Sequence, residues 1–208
     1  MTVPCPVIIM AKAPQAGLAK TRLISALGAA GAALLAERLL QHAVQQALEA
    51  GLGPVDLCCT PDTSHPAFAR AASLPGVVLS AQASGHLGQR MQAAFARWLP
   101  APGGVLMMGT DIPGLVGAVL QQAAQALRTA DAVLVPALDG GYALIGLRKP
   151  APSLFADMPW STPVVLATTR KRLKAAGLRH TELAPLPDID EPADLRWLPP
   201  GWLPAAAP

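Results

Sequence analysis

An α/β fold is predicted, with a mostly parallel sheet covered on both faces. Three observations predict it. Short apolar runs such as Val7-Ile8-Ile9-Met10-Ala11 and Val105-Leu106-Met107-Met108 have the length and continuity of strands buried on both sides. Ala-rich segments of helical pattern separate such runs almost throughout, as in βαβ units. The runs end in Gly- and Pro-bearing loops, and no internal repeat or interdomain linker interrupts the pattern. A single domain over residues 1–197 is expected, followed by a Pro-rich tail, 198–208, of irregular or mobile character.

The elements follow in order. Val7 to Ala11 is the first strand, closed by Lys12 and a loop, Ala13-Pro14-Gln15-Ala16-Gly17. From about Ala29 to Ala50 the pattern is helical. Glu37, Arg38, Gln41, His42, Gln45, Gln46 and Glu49 share one face; Leu40, Ala43, Val44, Ala47 and Leu48 share the other; Gly51 is the stop. His42 is therefore expected to be solvated. Val55 to Cys59 reads as a strand with Cys58 and Cys59 on opposite faces. Pro66 to Ala72 reads as a short helix, Val77 to Leu79 as a brief strand, and Leu87 to Leu99 as a helix closed by Pro100. After the strand at Val105 to Met108 come a helix at Leu115 to Leu127 and strands at Ala132 to Val135 and Tyr142 to Leu147. Pro163 to Ala176 is a helix with Pro163 in its first turn and Ser161 or Thr162 as its cap.

Composition excludes several classes. The 208 residues are 52% hydrophobic and 14% charged, but much of the apolar content is Ala, and no apolar run approaches the ~20 residues of a spanning helix. The short first apolar run has no basic region before it, unlike a signal peptide. A net charge of +3 and an isoelectric point near 9.0 are mild. The one basic cluster, Arg170-Lys171-Arg172-Lys174, falls in a helical pattern and reads as a solvated face, not a nucleic-acid surface. Three cysteines without metal-ligand spacing fit a reducing cytoplasm.

Four segments can carry chemistry. Asp111, in Gly109-Thr110-Asp111-Ile112-Pro113, stands at the carboxyl end of a buried strand, where ligands collect in open α/β sheets. It can hold a hard cation such as Mg²⁺ against a phosphate, or cap the helix that follows. Lys12, Gly17, Lys20, Thr21 and Arg22 form a cationic βα loop, which is either a phosphate cradle or a basic surface loop. It matches neither a Walker A loop nor GxGxxG, and the latter argues against an NAD-type oxidoreductase. Asp139-Gly140-Gly141-Tyr142 is either a hairpin turn or a close backbone approach to a ligand. Asp188-Ile189-Asp190-Glu191, with Asp194, is either an acidic helix start or the source of a second metal carboxylate. Arg90, in Gly85-His86-Leu87-Gly88-Gln89-Arg90, is a further candidate lining residue.

Taken together, Lys12-Ala13-Pro14 with Gly17 and Lys20-Thr21-Arg22-Leu23, Leu87 to Met91, Gly109 to Leu115, Asp139 to Leu147, Trp160-Ser161-Thr162 and Asp188 to Leu195 resemble, in the same order, the motifs of a bacterial glycosyltransferase-A-like family of nucleotide-diphospho-sugar transferases. Some relatives in that family are named arsenosugar-biosynthesis glycosyltransferases. The similarity spans about residues 6–197. It implies a three-layer α/β/α, Rossmann-like fold with a mostly parallel mixed sheet. It also implies kinship with 2-phospho-lactate guanylyltransferase and molybdenum-cofactor nucleotidyltransferases. By the resemblance, the first loop holds the nucleotide, and Asp111 with Asp188, or Asp190 in its place, binds Mg²⁺ or Mn²⁺. The Asp-x-Asp pair of metal-dependent glycosyltransferases is reduced here to Asp111-Ile112-Pro113, closer to the nucleotidyltransferase form.

The expected function is therefore metal-dependent nucleotidyl or glycosyl transfer. A nucleoside triphosphate or nucleotide-sugar would be the donor and a small molecule the acceptor, with Lys20 and Asp111 as catalytic residues. A homodimer is compatible with this reading. The rival is a catalytically idle nucleotide-binding module on the same fold.

Overall fold

The computed structural model describes residues 3–203. Seven strands form one sheet: β1 (Val7–Lys12), β2 (Val55–Thr60), β3 (Val77–Ala81), β4 (Val105–Met108), β5 (Ala132–Pro136), β6 (Tyr142–Leu147) and β7 (His180–Glu182). Their order is β3-β2-β1-β4-β6-β5-β7. Neighbours from β3 to β4 run parallel, β6 is antiparallel to both β4 and β5, and β7 is parallel to β5. The predicted mostly parallel mixed sheet is thus observed. β7 had no sequence signal, because three half-exposed residues, His-Thr-Glu, carry neither apolar alternation nor a buried run.

Alternate residues of the central strands face two cores. On one face Val7, Ile9 and Leu106 pack beneath α1 (Ile24–Glu49), α2 (Pro66–Ala72) and α4 (Gly117–Ala126). On the other, Ile8, Val105 and Met107 pack beneath α3 (Leu87–Trp98) and α5 (Val165–Ala175). Cys58 and Cys59 divide between the two cores as their adjacency requires. All three thiols are free and buried, and burial pushes those of Cys5 and Cys59 up to about 12.

α1 differs from expectation in two ways. Helical hydrogen bonding begins at Ile24, but Gly28 breaks it at φ 69°, ψ 166°, so the regular helix starts at Ala29. Such a backbone is accessible to glycine and strained for other residues. His42 is half-buried, not solvated: its Nε2 lies 2.9 Å from the Pro113 carbonyl, and its ring meets Trp202 edge-on at 4.9 Å. Thr21–Glu49 is also long and apolar enough to cross a membrane, by length and composition. That helix carries Glu37 and Arg38 and lays Leu40, Ala43, Val44 and Ala47 against the sheet.

Three helix starts move. α4 begins at Gly117, and its first amide donates to Gln46 Oε1 of α1 at 2.8 Å, so one helix caps another. Asp111 therefore caps no helix. α5 begins at Val165 without a side-chain cap, and Thr162 Oγ1 donates instead to the Pro159 carbonyl at 2.6 Å. The C-terminal 3₁₀ turn, Pro192–Trp197, is the acidic helix start, but Asp194 serves it, accepting from the amides of Glu191 at 2.7 Å and Asp190 at 3.1 Å.

A third core joins the start of α1 to residues 189–202. Leu23, Leu35, Leu39 and the fully buried Ile189 pack with Leu198 and Trp202. Arg38 donates to the Gly201 carbonyl at 2.7 Å. Residues 198–203 have no regular secondary structure and dock on α1; residues 204–208 of the expected tail lie outside the described residues.

Candidate functional site

The chain builds β1, β2 and β3 outward in one direction and then returns to place β4 on the other side of β1. A crevice opens at such a reversal, beyond the carboxyl ends of the strands. Both leading candidates meet there: the first loop leaves β1 and Asp111 follows β4.

Lys20 is the clasp of this crevice. Its ammonium donates to the Ile189 carbonyl at 2.6 Å and lies 3.2 Å from Asp111 and 3.7 Å from Asp190. Only 11% of the Lys20 side chain is exposed. Its backbone is left-handed, φ 46°, which costs a lysine roughly 1–2 kcal/mol. Arg22 extends the clasp, bonding Asp190 at 2.7 Å with Glu191 at 3.6 Å. The Ile189 amide completes it by donating to the Asp111 carbonyl at 2.9 Å.

Beside the clasp lies a cavity of about 250 Å³. Asp111, Asp139 and Asp188 stand on its wall, with Gly141 and Tyr142. Burial pushes the Asp188 carboxyl up to about 6, and the charges of Asp139 and Asp111 add to the rise. Asp139 and Asp188 also line a neighbouring hollow of about 310 Å³ that carries Arg22, Asp190, Arg196 and Trp197. The two carboxylates thus form a divide between an apolar and a charged compartment.

The remaining predicted residues fall around this centre. Lys12, the last residue of β1, is exposed. Gly17, at φ 80°, and Thr21 are exposed along the first loop. Arg90 turns back, donating from Nε to the Gly85 carbonyl at 2.7 Å. Asp139 Oδ1 accepts from the Gly141 amide at 2.7 Å, the turn geometry its Gly-Gly sequence allows. Gly140, at φ 89°, closes on Pro163, where a Cβ would collide with backbone, and its carbonyl accepts from Leu166 at 2.9 Å. That glycine serves packing against α5. Burial pushes the Tyr142 phenol well above its ordinary value.

Several residues of the cavity escaped sequence reasoning. Met10, Met91, Met107 and Trp160 line it. Trp160 meets Tyr142 edge-on at 6.5 Å, and its indole N–H is buried without a hydrogen-bond partner among the described residues. Apolar residues on strands and helices read as core, and nothing in their spacing separates a core wall from a cavity wall. Only the Leu87-to-Met91 and Trp160-Ser161-Thr162 motifs carried a signal.

The architecture is the three-layer α/β/α fold of the nucleotide-diphospho-sugar transferase type. A protein from Desulfovibrio desulfuricans G20 with the provisional name nucleotide-diphospho-sugar transferase shares it at a TM-score of 0.84 and 31% identity, over 92% of this chain and 84% of that one. The chain belongs to the bacterial family described as "Uncharacterized protein conserved in bacteria (DUF2064)", whose profile matches residues 39–162. Two more distant structures share the fold alone. CMP:2-keto-3-deoxy-manno-octonic acid synthetase complexed with CTP has 16% identity and a TM-score of 0.59 over 93% of this chain and 96% of that one. Rv0371c complexed with manganese, from Mycobacterium tuberculosis H37Rv, has 19% identity and a TM-score of 0.55 over 98% and 99%. None of the curated proteins matches the chain.

Proposed function

We propose that the chain is a divalent-metal-dependent transferase that takes a nucleoside triphosphate or a nucleotide-sugar and transfers to a small-molecule acceptor. The observation that carries this reading is the convergence of Asp111, Asp139 and Asp188 on one crevice wall, with Lys20 and Arg22 beside them. Burial, with the charges of Asp139 and Asp111 added, disfavours the ionised Asp188 carboxyl, and a bound cation would relieve that cost. The donors are hard oxygens, which suit Mg²⁺ or Mn²⁺. Among the described residues no three His, Cys, Asp or Glu side chains stand close enough to hold a metal ion on their own. Mg²⁺ characteristically takes one or two carboxylates and completes its shell with water and substrate phosphates. Asp111 and Asp188 would hold it, with Asp190 the alternative.

The bound cation would neutralise phosphate charge on the leaving group. The chain's own residues do the rest. Arg22 lines the charged compartment and Lys20 lies behind it against Asp111 and Asp190; both are suited to stabilise charge that develops on a departing diphosphate. Lys12, Gly17 and Thr21 extend the same anion-binding loop. The acceptor hydroxyl oxygen bonds to the α-phosphorus or to the anomeric carbon, its proton passes to a wall carboxylate, and pyrophosphate or a nucleoside diphosphate leaves. The lone Asp111, with Ile112 and Pro113 where a second Asp would complete an Asp-x-Asp pair, favours nucleotidyl transfer.

The test is a thermal-shift and turnover panel of nucleoside triphosphates and nucleotide-sugars with and without Mg²⁺ or Mn²⁺. Metal-dependent stabilisation by a nucleotide and release of pyrophosphate are expected, with turnover falling at least about 100-fold in Asp111→Asn. Stabilisation without turnover would favour an idle binding module; no stabilisation by any nucleotide with metal would overturn the reading.

A further inference from the structure

Carboxylates line both of the compartments that Asp139 and Asp188 divide, but cations line only one of them among the described residues. The cations Arg22 and Arg196 belong to the charged hollow, and Lys20 to the clasp. Among the described residues, no Lys, Arg or His lines the cavity on the other side. Its body is apolar and soft: Met10 on β1, Met91 on α3, Met107 and Met108 on β4, with Trp160 and Tyr142 as aromatic walls. Methionine sulfurs and flexible thioether chains accommodate irregular apolar shapes and make favourable contacts with aromatic rings. The cavity's charged groups are the three carboxylates.

From this sorting we infer that the acceptor is a hydroxyl-bearing small molecule with an uncharged, apolar body, and that acceptors carrying a phosphate or carboxylate are rejected. The inference rests on the transferase reading above. An anionic group in the apolar body of the cavity, away from the cation that Asp111 and Asp188 would hold, would lose its hydration and find no Lys, Arg or His on the walls around it; both effects are unfavourable. An alkyl or aromatic body instead replaces water against methionine and tryptophan, with its hydroxyl toward the carboxylates. At about 250 Å³ the space sits below the ~300–1,000 Å³ common for ligand pockets, so the body is compact. Specificity here is built partly from exclusion, since an anionic competitor is left desolvated and unpaired.

The experiment uses the full chain with ¹³C-methyl methionine, its resonances assigned by single Met→Leu variants. Titration with 2-phenylethanol is compared with titration by its phosphate ester, in parallel with calorimetry of nucleotide plus Mg²⁺. The alcohol is expected to move the Met10, Met91 and Met107 methyls at least tenfold further than the ester at equal concentration. Leu87→Arg, at a rim position 41% exposed and therefore tolerant, is expected to narrow that preference at least threefold. Equal response to the ester, or no response to the alcohol, overturns the inference even where nucleotide binds. If the alcohol binds and no nucleotide does, the transferase reading falls, and the acceptor role falls with it, while the cavity's preference for an uncharged body stands.

Discussion

At the residue scale, the site is a set of charges that would not choose each other's company. Asp188 is half-buried beside Asp139 and Asp111, and its carboxyl is held near 6 by desolvation and by those neighbours. Such crowding costs stability in the absence of a cation. Asp188→Asn therefore raises the melting temperature of the metal-free protein by roughly 2–4 °C, the shift that ~1 kcal/mol produces in a domain of this size. If Asp188 holds the proposed cation, the same substitution is expected to remove any Mg²⁺-dependent component of nucleotide stabilisation. Differential scanning calorimetry with and without metal checks both signs. Asp111 was legible in the sequence because Gly and Pro isolate it at the end of an apolar run. Met10 and Met107 were not, because a wall that faces a ligand and a wall that faces core use the same apolar residues.

At the element scale, the segment carrying Asp188 and Asp190 has no regular secondary structure, and one side chain fixes it. Ile189 is fully buried among Leu23, Leu35 and Leu39, so the flanking carboxylates project to the cavity and to Arg22. Ile189→Ala is expected to cost about 2–5 kcal/mol in urea denaturation and to weaken nucleotide binding. Its neighbours Leu35 and Leu39 are each 1% exposed and fixed on α1, so the space left by the truncation would not readily be refilled. The acidic run was readable as a whole, but the division of labour within it was not. Asp194 took the helix-capping role and Asp190 the pairing with Arg22, and both depend on where a 3₁₀ turn begins.

At the scale of the whole molecule, the alternation of strand and helix was legible from periodicity alone, and so were the two cores. The reversal at β4 and the antiparallel insertion of β6 were not, because strand order is set by long-range pairing. β7 shows the limit most plainly: it exists because Asp131 and Ala132 hand their amides to the Arg179 carbonyl and pull His180–Glu182 alongside β5. That edge is held by a forked ion pair, Arg170 to Glu182 at 2.7 and 2.6 Å. The hydrogen bonds from Arg170 keep the Glu182 carboxyl below its ordinary value. A depressed carboxyl contributes stability above its unfolded value, about 4.3, and loses it as pH falls through the folded value. Glu182→Gln should thus lower stability at pH 7 by no more than about 1 kcal/mol, given the pair's exposure. The difference from the parent chain should close in melts below about pH 3, under the carboxyl's ordinary range.

The third core gives the molecule a property that no single contact has. It sews the start of α1 to the segment at 189–202, and Lys20 and Asp188 hang from its two sides. Local opening in proteins proceeds in cooperative units. Here the unit that frays when Trp202 leaves α1 is also the one that carries the clasp and the second carboxylate, while Asp111 and Asp139 stay with the sheet. Loosening of this core is therefore expected to displace Lys20 and Asp188 together, so that a ligand bound by both would also protect the docking of residues 198–203 on α1, which amide hydrogen exchange with and without nucleotide would check.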